Sequence, residues 1–167
     1  MPIHSPDTRH DVDSRQDCEL LVREFYTRAL ADPVIGFLFT DVAHLDLEAH
    51  LPRIASFWET ILLGAQTYAG GAFAPHAALN AKVKLRKGHF ERWLWLWEQT
   101  VDELFTGERA ELAKSHARRV AAAFHARLTA PPGAPPPEDE DLVLPIHGGT
   151  TRDSTSTAPQ GSGPAGV

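Results

Sequence analysis

Cysteine is almost absent from this chain, which has only Cys18 among 167 residues. One thiol excludes a disulfide framework within the chain, and such sparing use of cysteine is typical of a reducing compartment. Because Cys18 falls on a predicted helix, we expect it to behave as a small hydrophobic residue or a surface thiol. The cysteine count therefore predicts a cytoplasmic protein.

Long apolar runs and an excess of positive charge are also missing. No stretch approaches the roughly 20 apolar residues of a membrane span, and the polar residues 1–13 lack the apolar core of a signal peptide. The formal net charge is −6, whereas non-specific binding to nucleic acid requires a basic face. These absences predict a soluble protein that binds neither membranes nor nucleic acids.

The motifs of common catalytic and metal sites are missing as well. The Gly70-Gly71 pair follows no predicted strand, so it does not form a phosphate-binding loop, and no nucleophile elbow is present. Zinc sites need His or Cys ligands at short spacings, but the nine histidines include no His-x3-His or His-x4-His pair. A functional site must therefore be assembled from residues that are distant in the sequence.

Helical periodicity is the strongest pattern that is present. Leu21, Phe25 and Ala29 recur at four-residue intervals after a segment like a capping box, Ser14-Arg15-Gln16-Asp17, and Asp32-Pro33 ends this helix. No strand pattern is present, and 43% of the residues are hydrophobic, so the sequence predicts an all-α fold. Further helices are predicted from about Leu47 to Leu63, from about His89 to Phe105 and from about Glu108 to Leu128.

The second helix and the connection after it are less regular. Asp46 could cap this helix, but Pro52 is tolerated best in a first turn, so the regular helix could also begin near Leu51. Residues 65–88 form an irregular connection with a short helical turn near His76. So long a connection in a compact domain is often functional.

The composition divides the chain into three parts. Residues 1–13 are polar and lack an apolar period, so we expect a flexible arm. Residues 14–128 carry the helices and form the domain. Residues 129–167 are rich in proline, acidic residues, serine and glycine, which predicts a disordered tail that cannot bury enough apolar surface. Within the tail, Leu142 to Ile146 is a small apolar segment.

Aromatic, apolar and imidazole side chains meet in the predicted helical domain. A cavity with a few convergent donors is typical of a small-ligand site, and a single imidazole on a turn can hold a haem iron from one side. A helical core with partly exposed histidines is the commoner case, and the residues alone leave both interpretations open. The candidate pocket residues are Tyr26, Phe39, His50, Ile54, Trp58, His76 and Trp93.

Several short segments between residues 14 and 128 follow one another in a specific order. Tyr68 precedes His76 by eight residues, and the other segments are Phe25-Tyr26, Asp32-Pro33-Val34-Ile35-Gly36-Phe37-Leu38-Phe39, His50-Leu51-Pro52-Arg53-Ile54-Ala55-Ser56-Phe57-Trp58 running to Leu62-Leu63-Gly64, and His89-Phe90-Glu91-Arg92-Trp93-Leu94. Their order and spacing resemble those of group III truncated haemoglobins. The chain departs from that pattern at Gly71-Ala72, where members of the family often have Asn-Pro.

The resemblance implies a truncated globin fold, a two-over-two helical sandwich, that binds haem b. It implies that His76 is the proximal ligand of the iron and that Phe39 packs against the haem. On the distal side it implies that Tyr26 and Trp93 are hydrogen-bond donors. It also implies that His50 lies at the entrance and that Ile54 and Trp58 form the rest of the wall.

Alternatives remain for some of these roles. His89 is the rival iron ligand, although as the first residue of its helix it is expected to cap that helix or to face solvent. His76 could instead be a solvated turn histidine. The cationic run from Lys82 to Lys87 could meet the haem propionates or form a solvated face.

The resemblance also implies binding of dioxygen, nitric oxide or peroxide. Two donors beside a bound ligand predict slow release of dioxygen, which suits chemistry better than delivery. The candidate reactions are oxidation of nitric oxide to nitrate, which requires a reductase, and peroxidase-like chemistry. A non-enzymatic carrier or sensor of dioxygen or nitric oxide is the first alternative, and a cofactor-free helical interaction domain is the second.

Overall fold

The computed structural model describes residues 7–134, and this range contains α-helices and no strand. The predicted all-α fold is therefore confirmed for the part of the chain that is described. No helix in this range is both long and apolar enough to cross a bilayer. The elements are α1 (Arg15–Ala31), a π-helical turn (Leu38–Val42), α2 (Leu47–Leu63), α3 (Phe73–Lys82), α4 (Lys87–Leu104) and α5 (Glu108–Thr129).

Four of the helices form two pairs that pack one over the other. Helix α1 packs along α2 and α4 packs along α5, while α1 also contacts α4 and α2 contacts α5. The short α3 lies against α5 and the π-helical turn. This is the predicted two-over-two sandwich, and its largest fully buried side chains, Trp97 and Phe25, lie where α4 meets α1.

The ends of α1 are set by local hydrogen bonds. Ser14 Oγ accepts the N–H of Asp17 at 3.2 Å, which is a normal N-cap. At the other end the Asp32 carboxylate accepts the N–H groups of Val34 and Ile35 at 2.9 and 3.1 Å and two N–H groups of Arg92 at 2.7 and 2.9 Å. Asp32 thereby ties the turn after α1 to α4.

Helix α2 begins at the earlier of the two predicted positions. Asp46 accepts the N–H of Ala49 at 3.3 Å, so the helix starts at Leu47 and Pro52 lies inside it. Since Pro52 is only in the second turn, its missing N–H costs one hydrogen bond near the helix end. Gly64 ends the helix in the left-handed conformation, at φ 71°, as the sequence predicted.

Helix α3 is longer than the short turn predicted near His76. It has ten residues, and Pro75 is its third residue, where no N–H is required. Gly70 and Gly71 have φ angles of 94° and 86°, which glycine adopts without steric cost. The irregular connection is therefore a glycine turn followed by a regular helix.

The segment before α1 differs from the predicted flexible arm, because residues 7–13 pack against the domain. Val12 is fully buried, and the Asp11 carboxylate accepts the N–H groups of Arg109 and Ala110 at the start of α5, at 2.9 and 2.8 Å. At Gly107, where φ is 141°, a Cβ atom would lie 2.4 Å from Asp11 Cγ. The domain therefore begins before residue 14.

At the other end of the chain, α5 runs one residue beyond its predicted end, to Thr129. The expectations for residues 1–6, for residues 135–167 and for the apolar segment Leu142 to Ile146 lie outside the described residues.

Candidate functional site

A cavity of about 440 Å³ lies between the five α-helices and the π-helical turn. Its volume falls in the range of roughly 300–1,000 Å³ that is typical of small-molecule sites. The structure brings all the residues selected from the sequence to this one cavity, although they are spread over 68 positions of the chain. They are Tyr26, Phe39, His50, Ile54, Trp58, His76 and Trp93.

His76 lies in the first turn of α3, and its tautomer is set by the backbone. Its Nδ1 is 2.8 Å from the carbonyl oxygen of Ala72. Because a carbonyl can only accept, Nδ1 carries the proton and Nε2 keeps its lone pair. Burial is the main influence on His76 and lowers its pKa, although the contact with Ala72 opposes this shift. The neutral imidazole can therefore ligate a metal through Nε2, with its other nitrogen oriented by a backbone carbonyl.

His89 also lines the cavity, but its tautomer is the opposite one. Its Nδ1 accepts the backbone N–H of Arg86 at 3.0 Å, which caps the start of α4. A neutral imidazole that accepts at Nδ1 has its proton on Nε2 and offers no lone pair there. The capping role expected for His89 is therefore observed, and this role removes its capacity to ligate through Nε2.

The walls formed by α1 and α4 present two side-chain donors. Tyr26 packs edge-on against Phe25 and Phe39, at centroid distances of 5.1 and 5.7 Å. Within residues 7–134, the only fully buried side-chain nitrogen or oxygen without a partner belongs to His116. Among these described residues the Tyr26 hydroxyl and the Trp93 indole N–H have no hydrogen-bond partner, and both side chains line the cavity.

Burial makes ionisation of the Tyr26 hydroxyl still less favourable. It raises the pKa of this phenol from 10.0 to about 12, because the charged phenolate is disfavoured away from water. Tyr26 is therefore a neutral hydrogen-bond donor at physiological pH, and Trp93 can only donate.

Helix α2 contributes three residues at four-residue spacing, which places them on one face. They are graded from solvent inwards: His50 is exposed, Ile54 is half-buried and Trp58 is only 3% exposed. His50 therefore stands at the mouth of the cavity, and Trp58 closes its inner end.

Two further lining residues, Phe124 and Arg53, were not selected from the sequence. Phe124 on α5 lies 4.7 Å from the His76 ring, between centroids, but its four-residue spacing in α5 indicated only a core position. Arg53 supplies a cation to the lining, and so does Lys82, the first residue of the cationic run selected from the sequence. The other cations of that run, Lys84, Arg86 and Lys87, do not line the cavity, although Leu85 does. Arg53 follows the exposed Pro52, and no local pattern separates it from an ordinary surface arginine.

The fold defined by these helices is that of a truncated globin. The solved structures include a group III truncated haemoglobin from Campylobacter jejuni that this chain resembles, with a TM-score of 0.63 and 22% sequence identity. The match covers 72% of this chain and 95% of that one. No family model matches the sequence, and no curated protein matches it significantly. The structural likeness confirms the fold predicted from the sequence.

Proposed function

We propose that this chain binds one haem b in the cavity, with His76 Nε2 as the proximal ligand of the iron. The observation that carries the proposal is the hydrogen bond from His76 Nδ1 to the Ala72 carbonyl, which leaves Nε2 free at the wall of the cavity. When bound, haem supplies an iron centre that takes up diatomic ligands or peroxide and exchanges electrons.

The other lining residues fit a haem group. Most of the wall is apolar or aromatic, as a porphyrin requires, and Phe39 and Ile54 are only half-buried because they border the cavity. Arg53 and Lys82 supply positive charge that suits two propionates. The departure at Gly71-Ala72 is compatible with ligation, since the Ala72 carbonyl orients His76.

The proposed function is binding of dioxygen and other diatomic ligands, followed by conversion of a reactive one. Tyr26 and Trp93 are two neutral donors that have no hydrogen-bond partner in residues 7–134, and each can donate to a ligand that carries partial negative charge. Hydrogen bonds to charged acceptors contribute about 1.5–3 kcal/mol each. Retention of dioxygen by two donors favours reaction over delivery.

Oxidation of nitric oxide is the leading reaction. One nitric oxide, one dioxygen and one electron give one nitrate, and a separate reductase has to supply the electron. In this scheme Tyr26 and Trp93 hold dioxygen in place, Trp58 excludes water at the inner end, and His50 at the exposed mouth controls entry. Peroxidase-like reduction of peroxide is the second candidate, because the same donors can bind a peroxide oxygen.

The first test is the absorption spectrum of the purified chain, before and after titration with haemin. We expect a Soret band in the wild type and in His89→Ala, but no stable haem complex in His76→Ala. His89→Ala is a matched control because His89 also lines the cavity. A colourless wild type that does not take up haemin would favour the cofactor-free interaction domain, and loss of haem from His89→Ala alone would overturn the ligand assignment.

Turnover separates the proposed enzyme from a carrier or sensor. With a chemical reductant present, we expect the haem-loaded chain to consume many equivalents of nitric oxide under dioxygen and to release nitrate. Consumption of a single equivalent would indicate a carrier or sensor instead.

A further inference from the structure

Three tryptophans form one continuous stack behind the wall of the cavity. The ring centroids of Trp58 and Trp97 are 4.4 Å apart, with planes inclined by 21°, and those of Trp93 and Trp97 are 5.9 Å apart, at 3°. Trp93 and Trp58 line the cavity, whereas Trp97 is 1% exposed. The stack therefore connects two points of the cavity wall through an indole that no ligand in the cavity can touch.

The surroundings of the stack favour loss of an electron from it. Indole is one of the side chains most easily oxidised, and adjacent rings in contact exchange electrons quickly. The N–H of Trp97 donates to the carbonyl oxygen of Ala113 at 3.2 Å, and this bond strengthens when oxidation makes the N–H more acidic. His116 lies 5.9 Å from Trp58, and burial lowers its pKa to about 4, so no positive imidazole opposes an oxidised Trp58.

An aromatic path leads from the stack to a buried tyrosine that borders a second pocket. Phe57 lies edge-on between Trp58 and Tyr68, with centroid distances of 5.1 and 5.4 Å. Tyr68 lines a second, more open pocket of about 290 Å³, together with the exposed residues Thr67 and Ala69. Tyr68 is only 6% exposed and also borders the main cavity, but of the two tyrosines it alone borders the outer pocket. A proton released by its phenol can pass to water in that pocket, whereas Tyr26 borders only the main cavity.

We propose that the Trp93–Trp97–Trp58 stack is a one-electron relay between the cavity and Tyr68, and that a small phenolic reductant is oxidised in the outer pocket beside Tyr68. The relay rests on the proposed function, since peroxide has to be reduced at a haem in the cavity. Hydrogen peroxide takes up two electrons and two protons and leaves as two waters. Two phenols each give up one electron and one proton and become phenoxyl radicals.

Each electron follows the same sequence of donors. The stack gives one electron to the reduction of peroxide in the cavity, and the resulting tryptophan radical remains on the stack. Tyr68 refills the stack and releases its proton to water, and the phenol then restores Tyr68 by giving up an electron and a proton.

The test is electron paramagnetic resonance on the haem-loaded ferric protein, freeze-quenched after mixing with hydrogen peroxide. We expect a tryptophan radical, identified by its narrower signal when the chain is labelled with ring-deuterated tryptophan. Trp97→Phe should lose most of this signal, and Trp58→Phe is a second variant that interrupts the stack elsewhere. Trp95→Phe is the matched control, because Trp95 is on the same helix but is 50% exposed and packs under the Arg92 guanidinium. An unchanged signal in both stack variants, or an equal loss in Trp95→Phe, would overturn the relay.

The exit at Tyr68 has its own readout. In Tyr68→Phe we expect the tryptophan radical to persist longer while the oxidation of guaiacol, a small phenol, slows. If the radical decays and guaiacol is oxidised at the wild-type rate in Tyr68→Phe, Tyr68 is not the exit.

The Soret band of each variant is measured first, so a failure of haem binding is recognised separately from a failure of the relay. If the wild-type chain binds no haem, the relay is tested in the Trp95→Phe chain by pulse radiolysis with azide radicals. A relay predicts conversion of the tryptophan radical to a tyrosyl radical at a rate independent of protein concentration, and loss of this conversion when Trp97→Phe is added. No such conversion in the Trp95→Phe chain would overturn the relay, whatever the cavity binds.

Discussion

Replacement of Asp11 by alanine is expected to destabilise the domain by loosening the start of α5. The Asp11 carboxylate accepts the N–H groups of Arg109 and Ala110 at 2.9 and 2.8 Å, and that of Val12 at 2.9 Å. Arg109 and Ala110 are the second and third residues of α5, so Asp11 acts as an N-cap supplied from about 100 residues away. Loss of an N-cap side chain costs about 0.5–2 kcal/mol. Since Val12 loses its bond as well, we expect about 2 kcal/mol, the upper end of that range.

The assay is urea unfolding of Asp11→Ala at neutral pH, with Asp13→Ala as the control. Asp13 belongs to the same segment and makes an ion pair with Arg109 at 2.7 Å, but this pair is exposed. Exposed ion pairs contribute about 0–1 kcal/mol, so the control should lose clearly less stability. Equal losses in the two variants would refute the capping argument, and so would no loss in Asp11→Ala.

The effect of Asp11 also has a predicted pH dependence. Burial opposes ionisation of Asp11, but the backbone N–H groups of Arg109, Ala110 and Val12 outweigh it and lower the pKa of this carboxyl below its usual range. A carboxylate with a depressed folded pKa stabilises fully above its unfolded pKa, and this contribution disappears as the pH falls through the folded value. The difference between wild type and Asp11→Ala should therefore be constant near neutral pH and shrink below about pH 4. A difference that grows on acidification would contradict the assignment.

Two further predictions concern the cavity and the core. Tyr26→Phe and Trp93→Phe should each speed the release of dioxygen from the haem-loaded protein by about ten- to a hundredfold, the equivalent of 1.5–3 kcal/mol; unchanged rates in stopped-flow measurements would refute the donor role. His116→Phe removes the buried Nε2 that has no partner within residues 7–134 and should leave stability at neutral pH unchanged or raised. Because burial lowers the pKa of His116 to about 4, the unfolded chain binds a proton between about pH 6.5 and 4 that the folded chain does not. Wild type should therefore lose stability over this interval, and His116→Phe should lose less of it; equal slopes would contradict the burial argument.

The helices and their ends were largely predictable, because their signals are local. Ser14, Asp46 and Gly64 act at the helix ends where their residue types predicted, and the observed bounds of α4 differ from the prediction by two residues at the start and one at the end. The helix around His76 was underestimated because Gly70-Gly71 and Pro75 suggested an irregular segment. Pro75 does not disrupt α3, because the third residue of a helix needs no N–H for an intrahelical bond. The spacing of residues alone does not show that the helix begins at Phe73.

Two features depended on contacts between distant parts of the chain. The packing of residues 7–13 was not predicted, because it depends on hydrogen bonds from two N–H groups of α5 to Asp11. No local sequence pattern indicates a contact between residues so far apart in the chain. The choice between His76 and His89 as a metal ligand was also open from the residues. The choice depends on the hydrogen bond of Nδ1, which His76 donates to a backbone carbonyl and His89 accepts from a backbone N–H.

The sequence by itself determined the all-α class, the order of the helices and, through a resemblance in spacing, the residues that border the cavity. These follow from periodicity, capping and residue type, which act over a few positions of the chain. Only the tertiary structure decided the tautomers of the two histidines, the freedom of the Tyr26 and Trp93 donors, and the stacking of Trp97 between Trp58 and Trp93. Hydrogen-bond partners and ring contacts are properties of positions in space, and the residues that supply them here come from different helices.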